Sequence, residues 1–504
     1  MEELTPAARR RVLVGLMLTM ALAAMDTTIV ATAIPSIVRD LGGFSLFPWV
    51  FSGYVLAQAV TIPIYGKLAD LYGRKPVLIV GTLIFLAGSI LSGIAWSMVA
   101  LIVFRALQGL GAGAIQPVVT TLAGDLYTLE ERARVQGYIS SVWGISAVVG
   151  PAIGGFFAEY ATWRWIFYVN VPIGAAALAV ILTGFHEPHV VRRRHRIDVG
   201  GAGLLVGGIG LLIFGLLQGG VRWPWVSVQS LATFAVSAAL LVAFAFQERR
   251  AAEPMLPPWV FGRRILLGAA LGSGAVGLLT IGLTTFLPTF AQGVLGAGPV
   301  VAGFTLAAMS VGWPVAASQS GRLYLRIGFR DSALIGTGIC LVAGILFALL
   351  GDGSQVWQAA GACLVMGVGL GLLSTPLIVG VQSVVDWSRR GVVTGASMFT
   401  RMLGQALGAA IFGSVANSTL HRWLVQAPPA VAAKLPRSVN AASSVLGGHA
   451  PHGAAGDYVR HGLELATHRV FLGLVAVAVL ALAALLVTPR RFEQLELESV
   501  RIDA

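Results

Sequence analysis

A short basic turn occurs twice in this chain of 504 residues, with the two copies 255 positions apart. The first copy reads GKLADLYGRK at residues 66–75, and the second reads GRLYLRIGFR at residues 321–330. Each copy lies between two long apolar segments. A basic turn repeated half a chain length apart predicts a duplicated bundle of membrane helices, an arrangement typical of transporters. The matched positions are Gly66 and Gly321, Lys67 and Arg322, Gly73 and Gly328, and Lys75 and Arg330.

The composition also indicates a membrane protein. Hydrophobic residues make up 56% of the chain and charged residues 11%, and the mean hydropathy is +0.82. A soluble protein carries about 25% charged residues, whereas runs of about 20 apolar residues, each long enough to cross a bilayer, recur along this chain. The net charge of +12 is spread thinly over short loops. That distribution favours a role in membrane topology, so we expect contact with lipid and no nucleic-acid partner.

Two local features have simple interpretations. Arg9–Arg11 precede an apolar run and residues 31–33 resemble a cleavage site, but the run continues past Asp26 and many more runs follow. We therefore expect an uncleaved first helix and not a signal peptide. Cys340 and Cys363 both fall in apolar segments, so we expect buried thiols, with no disulfide framework, no metal site and no cofactor.

Fourteen apolar segments follow one another along the chain. Irregular backbone cannot face lipid, so these segments predict α-helices, and an even number puts both termini on the same side of the membrane. The segments are 12–34, 48–68, 77–96, 99–121, 135–158, 164–184, 199–218, 228–247, 265–290, 300–320, 331–350, 357–382, 391–418 and 469–488.

The distribution of positive charge predicts the orientation. One set of connections, which includes the 66–75 turn, holds 24 of the 34 Lys and Arg residues, whereas the short loops on the other side contain only Arg39, Arg164 and Arg222. Cytoplasmic loops carry an excess of Lys and Arg. We therefore expect both termini in the cytoplasm and, since arginine-rich usage is typical of bacterial genomes rich in G and C, a bacterial inner membrane.

The repeat extends over six segments in each half. At an offset of 258, the glycines at 109, 111 and 113 match those at 367, 369 and 371, and Arg132 matches Arg390. The predicted fold is all-α, with two pseudo-symmetric six-helix bundles, two extra helices between them, and a substrate site at the bundle interface. The expected divisions are a first bundle at 1–184, a basic linker at 185–198, two membrane helices at 199–247, a linker at 248–264, a second bundle at 265–490 with an outer loop at 419–468, and a tail at 491–504.

Five ordered motifs give the chain a family resemblance. The motifs are MDTTIVATAIP at 25–35, GKLADLYGRK at 66–75, LIVFRALQGLGAGA at 101–114, WGISAVVGPAIGG at 143–155 and WRWIFYVNVPIG at 163–174. Over about residues 10–490 they resemble the major facilitator superfamily and, within it, the fourteen-helix drug:proton antiporter family. One departure is Ala31, where family members often carry Asn.

The resemblance implies roles for two of these motifs. The turn is expected to be a cytoplasmic latch whose contacts break during transport. The alternative is a turn whose basic residues only set the orientation of the chain in the membrane. The residues of the latch are Gly66, Asp70, Gly73, Arg74 and Lys75. The second copy has Leu325 in place of Asp70. The helix-5 motif is linked to export, with ordinary glycine packing as the alternative; its residues are Gly150, Pro151, Gly154 and Gly155.

Asp26 is the key carboxylate, because a charge inside a membrane helix is costly and marks a functional site. At about 1.5 Å per residue it lies about 12 Å from the outer end of its helix, and Arg105 lies about 9 Å from the outer end of its own. We expect the two to form either a proton-coupling site, where Asp26 takes a proton or a cationic substrate and one displaces the other, or a permanent structural ion pair. Arg401, about 15 Å into its helix, either balances charge or contacts an anionic group of the substrate.

Pockets of broad specificity are typically apolar with a few polar groups, and the candidate cavity residues combine both kinds. We expect fewer than half of them to touch substrate. They are Tyr54, Gln58, Gln108, Gln116, Trp143, Phe286, Gln292, Met309, Trp313, Phe399 and Arg401.

The sequence contains no GxxxxGK[ST], HExxH or GxSxG motif, so we expect a transporter driven by an ion gradient and not an enzyme. The prediction is a monomeric proton-coupled antiporter that exports small amphipathic molecules, often cationic in the resembled family. One alternative is a dedicated exporter of an endogenous metabolite, siderophore or lipid. Another alternative is a non-transporting receptor or scaffold on the same fold. A channel fits least well, because two matched halves around a midplane site suit alternating access.

Overall fold

All regular elements in the described parts of the chain are helical. This computed structural model describes residues 6–41, 48–184, 198–218, 223–251, 254, 256–428, 431 and 453–490. Nearly all of the predicted basic linker, the centre of the outer loop and the tail lie outside the described residues. The helices are α1 (Pro6–Leu41), α2 (Pro48–Tyr72), α3 (Arg74–Gly93), α4 (Met98–Leu126), α5 (Leu129–Tyr160), α6 (Trp165–Tyr168), α7 (Asn170–Gly184), α8 (Val199–Gln218), α9 (Val228–Arg250), α10 (Pro258–Gly262), α11 (Arg264–Gly293), α12 (Pro299–Ile327), α13 (Phe329–Ala348), α14 (Val356–Ser383), α15 (Arg390–Val425) and α16 (Ala454–Leu486).

Within the described residues, ten helical stretches are long and apolar enough to cross a membrane. Their outer faces expose large apolar side chains, such as Val103 (57% exposed), Val228 (81%) and Leu480 (69%). Extensive apolar exposure is unfavourable in water but natural in lipid. Helices α2, α5, α8 and α15 are not among the ten, so the count of fourteen spans stays a prediction.

The helices pack into two bundles that meet along two pairs of helices. In the first bundle α1 packs on α5 and α7, and α4 packs on α2 and α3; in the second, α14 packs on α12 and α13, and α11 packs on α15 and α16. The bundles meet where α2 contacts α15 and where α5 contacts α12. Helices α8 and α9 pack mainly on each other, and α8 also contacts α2 and α15.

The two copies of the repeated turn have the same backbone conformation. Gly73 (φ 95°) and Gly328 (φ 91°) both occupy the left-handed region, which favours glycine, and each joins two helices directly. Lys75 Nζ donates to a carbonyl in the last turn of α7 at 3.1 Å, and Arg330 Nη2 donates to the last carbonyl of α16 at 3.2 Å. In each copy, the last basic residue therefore links the helix that follows the turn to the final helix of the same bundle.

The sixth predicted segment is interrupted in the structure. Helix α6 ends at Tyr168, and α7 begins at Asn170. Pro172 has no backbone N–H, so the carbonyl of Tyr168 lacks its usual donor four residues later. The interruption places a polar residue, Asn170, at the start of a helix inside the bundle.

The last helix begins at Ala454 rather than at residue 469. Two aromatic residues hold this earlier part against the end of α15. Trp423 Nε1 donates to the carbonyl of Tyr458 at 3.0 Å, Tyr458 Oη donates to the carbonyl of Trp423 at 2.9 Å, and the rings stack at 4.9 Å. Part of the predicted outer loop is therefore helical.

The start of α5 is capped by side chains, and the prediction of two buried thiols is confirmed. Thr128 and Glu131 form a capping box at the start of α5, with the Thr128 N–H donating to Glu131 Oε2 at 3.1 Å. Cys340 and Cys363 are both buried free thiols.

Candidate functional site

Asp26 lies within α1 and is completely buried. Nη1 of Arg105, on α4, contacts its Oδ2 at 2.5 Å, and Gln108 Nε2 donates to its Oδ1 at 2.8 Å. Arg105 and Gln108 are three residues apart and therefore lie on one face of α4, where Gln108 Oε1 also accepts from Arg105 Nη1 at 2.7 Å. A buried charge is tolerated only when it is paired and hydrogen-bonded, and this set supplies both conditions.

Asn170 completes the group around Asp26. Its Nδ2 donates to Asp26 Oδ1 at 3.3 Å and to Ser89 Oγ at 3.0 Å, and Ser89 Oγ donates to the carbonyl of Phe167 at 2.8 Å. Neither Asn170 nor Ser89 was among the predicted site residues. The available signal was a polar residue at the centre of the apolar 163–174 motif. We call Asp26, Arg105, Gln108 and Asn170 the Asp26 group.

Tyr54 covers the Asp26 group on the side of α2. Its ring centroid lies 4.2 Å from the guanidinium carbon of Arg105, a cation–π contact. Arg105 Nε also donates to the carbonyl of Val50 at 3.3 Å. Arg105 and Asp26 are both completely buried as a result. In this conformation a substrate would not reach Asp26 without displacing neighbouring side chains.

A cavity of about 500 Å³ lies between the two bundles. This volume falls within the range of about 300–1,000 Å³ that is typical of pockets for small organic molecules. Helices α1, α4 and α5 line one side, and α11, α12, α14 and α15 line the other, with Trp143 and Trp313 on opposite sides. Among the described residues that line the cavity, Arg401 is the one charged side chain.

Five of the eleven predicted cavity residues line this cavity. Tyr54 and Gln108 belong to the surroundings of Asp26 instead, and Phe286 and Phe399 pack in the hydrophobic core of the second bundle. Helix periodicity locates a polar or aromatic residue along a helix, but which face meets the cavity depends on how the bundle packs. Gln58 and Gln292 also lie outside the cavity lining, and the five that line it are Gln116, Trp143, Met309, Trp313 and Arg401.

The 66–75 turn joins the two bundles. Asp70 accepts hydrogen bonds from the backbone N–H groups of Gly391 (2.9 Å) and Val392 (2.8 Å) at the start of α15, and from Arg74 Nη2 (2.8 Å). The positive end of the helix dipole stabilises an anion in this position. The backbones approach so closely that a Cβ on Gly66 would lie 2.7 Å from the carbonyl oxygen of Gly391.

Arg74 and Asp125 extend this contact between the bundles. The buried Arg74 stacks on Trp387 at 3.6 Å and its Nε lies 3.1 Å from Asp125 Oδ2, an ion pair without hydrogen-bond geometry. Arg390 Nη1 donates to Asp125 Oδ1 at 2.8 Å. Arg132 belongs to the same cluster of charges: burial lowers its pKa, the positive charge of Arg390 lowers it further, and the carboxylate of Asp125 raises it. Asp125 is thus a counter-ion shared by cations of both bundles, and it was not among the predicted site residues.

The contact at Asp70 leads to a prediction about conformation. In the Asp70→Asn variant, the ion pair and the anion at the start of α15 are lost, and hydrogen bonds to charged groups contribute about 1.5–3 kcal/mol each. We expect the conformation with these bundle ends joined to lose population about tenfold. A cysteine replacing the buried Thr120, whose carbonyl accepts from Gln382 of α14 at 3.3 Å, reports the opening through labelling by an impermeant maleimide, in vesicles whose outer surface carries the turn.

Asp331→Asn is the matched control for this labelling. Asp331 follows the second copy of the turn, but it pairs with Arg490 at 3.0 Å near the surface of its own bundle. Its replacement should leave the labelling unchanged. Equal labelling in the two variants would contradict a latch at Asp70.

Helix α5 uses small residues to pack both against α1 of its own bundle and against α12 of the second bundle. Gly150 abuts Thr28 of α1, and a Cβ on Gly144 would lie 2.8 Å from the carbonyl oxygen of Ser310 on α12. Small residues allow such close helix packing. The link between this motif and export stays a prediction. The other positions of the motif, Pro151, Gly154 and Gly155, lie further along the same helix.

Known proteins resemble this chain in sequence and in fold. The profile of the Major Facilitator Superfamily matches residues 16–409. The chain is 37% identical over 410 residues to Multidrug resistance protein 3 of Bacillus subtilis, covering 81% of this chain and 80% of that protein. It is 34% identical over 412 residues to Multidrug transporter protein MdtP of the same bacterium, covering 81% and 76%. The crystal structure of the human organic anion transporter MFSD10 (TETRAN) is similar with a TM-score of 0.62, over 95% of this chain and 99% of that one; at 14% identity this is a similarity of fold.

Proposed function

Because the chain belongs to the major facilitator superfamily, a family of membrane transporters for small molecules and not of enzymes, we propose that it is a proton-coupled antiporter that exports amphipathic organic compounds. The chain is a multi-pass membrane protein, and its bacterial relatives at 34–37% identity are multidrug transporters. The proposal assigns it to the fourteen-helix drug:proton antiporter family, with the two six-helix bundles and two extra helices described above. It also places a monomer in the bacterial inner membrane with both termini in the cytoplasm.

The observation that supports coupling is that two helices serve both the Asp26 group and the cavity. Helix α1 carries Asp26 and also lines the cavity with Met20 and Thr28. Helix α4 carries Arg105 and also lines the cavity with Gln116 and Thr120. A rearrangement that opens the ion pair therefore shifts the wall against which a substrate lies. Coupling then acts through the two helices, without direct competition for Asp26.

The proposed cycle alternates between two states of the bundles. In the present state the contacts of Asp70 and Asp125 hold one end of the bundles together, and we assign this end to the cytoplasm. Protonation of Asp26 neutralises the partner of Arg105 and frees the guanidinium to move with α4. The latch then opens, the cavity faces the cytoplasm, Asp26 releases its proton there, and substrate enters. Closure of the latch returns the loaded cavity to the outside.

The test uses the purified chain in liposomes that contain a pH-sensitive dye. A proton gradient is imposed, and lipophilic cations, anions and neutral compounds are added in turn. Antiport predicts a proton flux that begins with the addition of a transported compound and runs opposite to it. Compound movement without any proton flux would contradict coupling, and the absence of both would favour a receptor or scaffold on the same fold.

A further inference from the structure

We propose that the cavity binds amphipathic organic acids and that Arg401 holds their anionic group. This inference rests on the proposed function only in treating the cavity as the substrate site. It departs from the expectation of cationic substrates that the family resemblance carries.

Arg401 has no partner for its charge among the described residues. None of its nitrogens makes a hydrogen bond or ion pair there, and its Nε is both buried and unsatisfied. Arg105 and Arg74, which are completely buried, differ in this respect, since Arg105 is held by Asp26 and Arg74 by Asp70 and Asp125. The Arg401 side chain is half-buried and lines the cavity, and a cation that is partly withdrawn from water without gaining a partner carries a desolvation cost. A ligand that brings an anion to this position would remove that cost.

The described part of the cavity wall offers no negative charge to a cation. No carboxylate is present among the lining residues that the structure describes, which come from both bundles. Asp26 is completely buried, is absent from this wall, and already pairs with Arg105. A cationic ligand would therefore meet Arg401 as a like charge, in surroundings where screening by water is weak.

Polar groups surround Arg401 on the side of the second bundle. Arg401 and Gln405 are four residues apart and share one face of α15, and Thr280 and Thr284 of α11 line the same cavity. Next to Arg401 is a small niche of about 10 Å³, bordered by Ser273 and other serines of the second bundle, which is room for about one water molecule. The planar guanidinium suits the two oxygens of a carboxylate or sulfonate.

The remaining wall suits an apolar body. Trp143 on the first bundle and Trp313 on the second line the cavity together with Met20, Met309 and Met398. Tryptophan offers large apolar contact area, and methionine adapts to ligands of different shape. An aromatic or aliphatic acid of moderate size would therefore place its charge at Arg401 and its body between the bundles.

The experiment measures binding to the purified full-length protein by isothermal titration calorimetry, without a proton gradient. Three probes share one aromatic body and differ in charge: naphthylacetic acid, its neutral amide, and naphthylethylamine. We expect the wild type to bind the acid about tenfold or more tightly than either of the other probes, since hydrogen bonds to charged groups are worth about that much. This comparison requires no variant to fold.

Arg401→Gln should weaken binding of the acid about tenfold or more and leave binding of the amide unchanged. Arg401→Lys should retain part of the preference, because it keeps the charge but loses the planar fork. Tighter binding of the amine than of the acid by the wild type would overturn the inference, as would unchanged binding of the acid by Arg401→Gln. Export of cations that is coupled to protons would overturn it while leaving the proposed function intact. Selective binding of the acid without any proton coupling would support the inference and contradict the proposed function.

Discussion

Replacing Asp26 by asparagine is expected to abolish accumulation of substrate driven by a proton gradient, while exchange of substrate across the membrane continues. The amide keeps the shape of the side chain and its contacts with Gln108 and Asn170, but it carries no proton that can be released. Each elementary charge moved is worth about 2.3 kcal/mol per 100 mV, or about 50-fold in concentration. In the variant this accumulation should fall to the ratio reached without a gradient. Labelled substrate in liposomes measures both gradient-driven uptake and exchange.

Asp40→Asn provides the control on the same helix. Asp40 is exposed near the end of α1, where Trp163 Nε1 donates to its Oδ2 at 3.0 Å, far along the helix from the cavity-lining residues. This variant should accumulate substrate as the wild type does. If Asp26→Asn also accumulates substrate normally, coupling lies at another group, and the Asp26 pair is structural.

Replacing Arg105 by methionine is expected to destabilise the protein by about 3–5 kcal/mol, because it leaves the completely buried Asp26 carboxylate without its cation. Methionine approximates the length of the apolar part of arginine, so loss of packing contributes little. The melting temperature of the protein in detergent should fall clearly. Adding Asp26→Asn to this variant should recover most of the loss, because the charge that lacks a partner is then removed.

Arg490→Met is the comparison for an ion pair near the surface. The Arg490 side chain is 78% exposed and lies 3.0 Å from Asp331, so its removal should cost about 1 kcal/mol or less. If Arg105→Met lowers stability as little as Arg490→Met does, the Asp26 carboxylate does not depend on its partner. Failure of the second substitution to restore stability would show that Arg105 acts mainly through other contacts, such as Tyr54.

The parts of the structure that follow from local chemistry were predictable from the sequence. Matched glycines in the repeat predicted matched turns, and Gly73 and Gly328 have nearly the same φ. The rise along a helix predicted similar depths for Asp26 and Arg105, and the structure brings the two into contact. In each case a periodic rule applies along a single helix or turn.

Contacts that depend on how helices rotate and cross were not predictable. Asn170 reaches Asp26 because the helix is interrupted at Val169, and nothing in the sequence indicated that its amide faces a carboxylate. Trp387 lies under Arg74 across 313 residues of chain, and the pattern of the repeat gives no sign of this contact. Phe286 and Phe399 have the same apolar character as Trp143 and Trp313, which line the cavity. Only the packing of the helices separates the core residues from the lining residues.

The most direct test of coupling at Asp26 is the infrared difference spectrum of the reconstituted protein on addition of substrate, in wild type and in Asp26→Asn. We expect substrate to change the band of a protonated carboxyl group, this band to shift in deuterated water, and the band to be missing from the variant. The same spectrum in both proteins would contradict coupling at Asp26, because the proton would then be carried by another group.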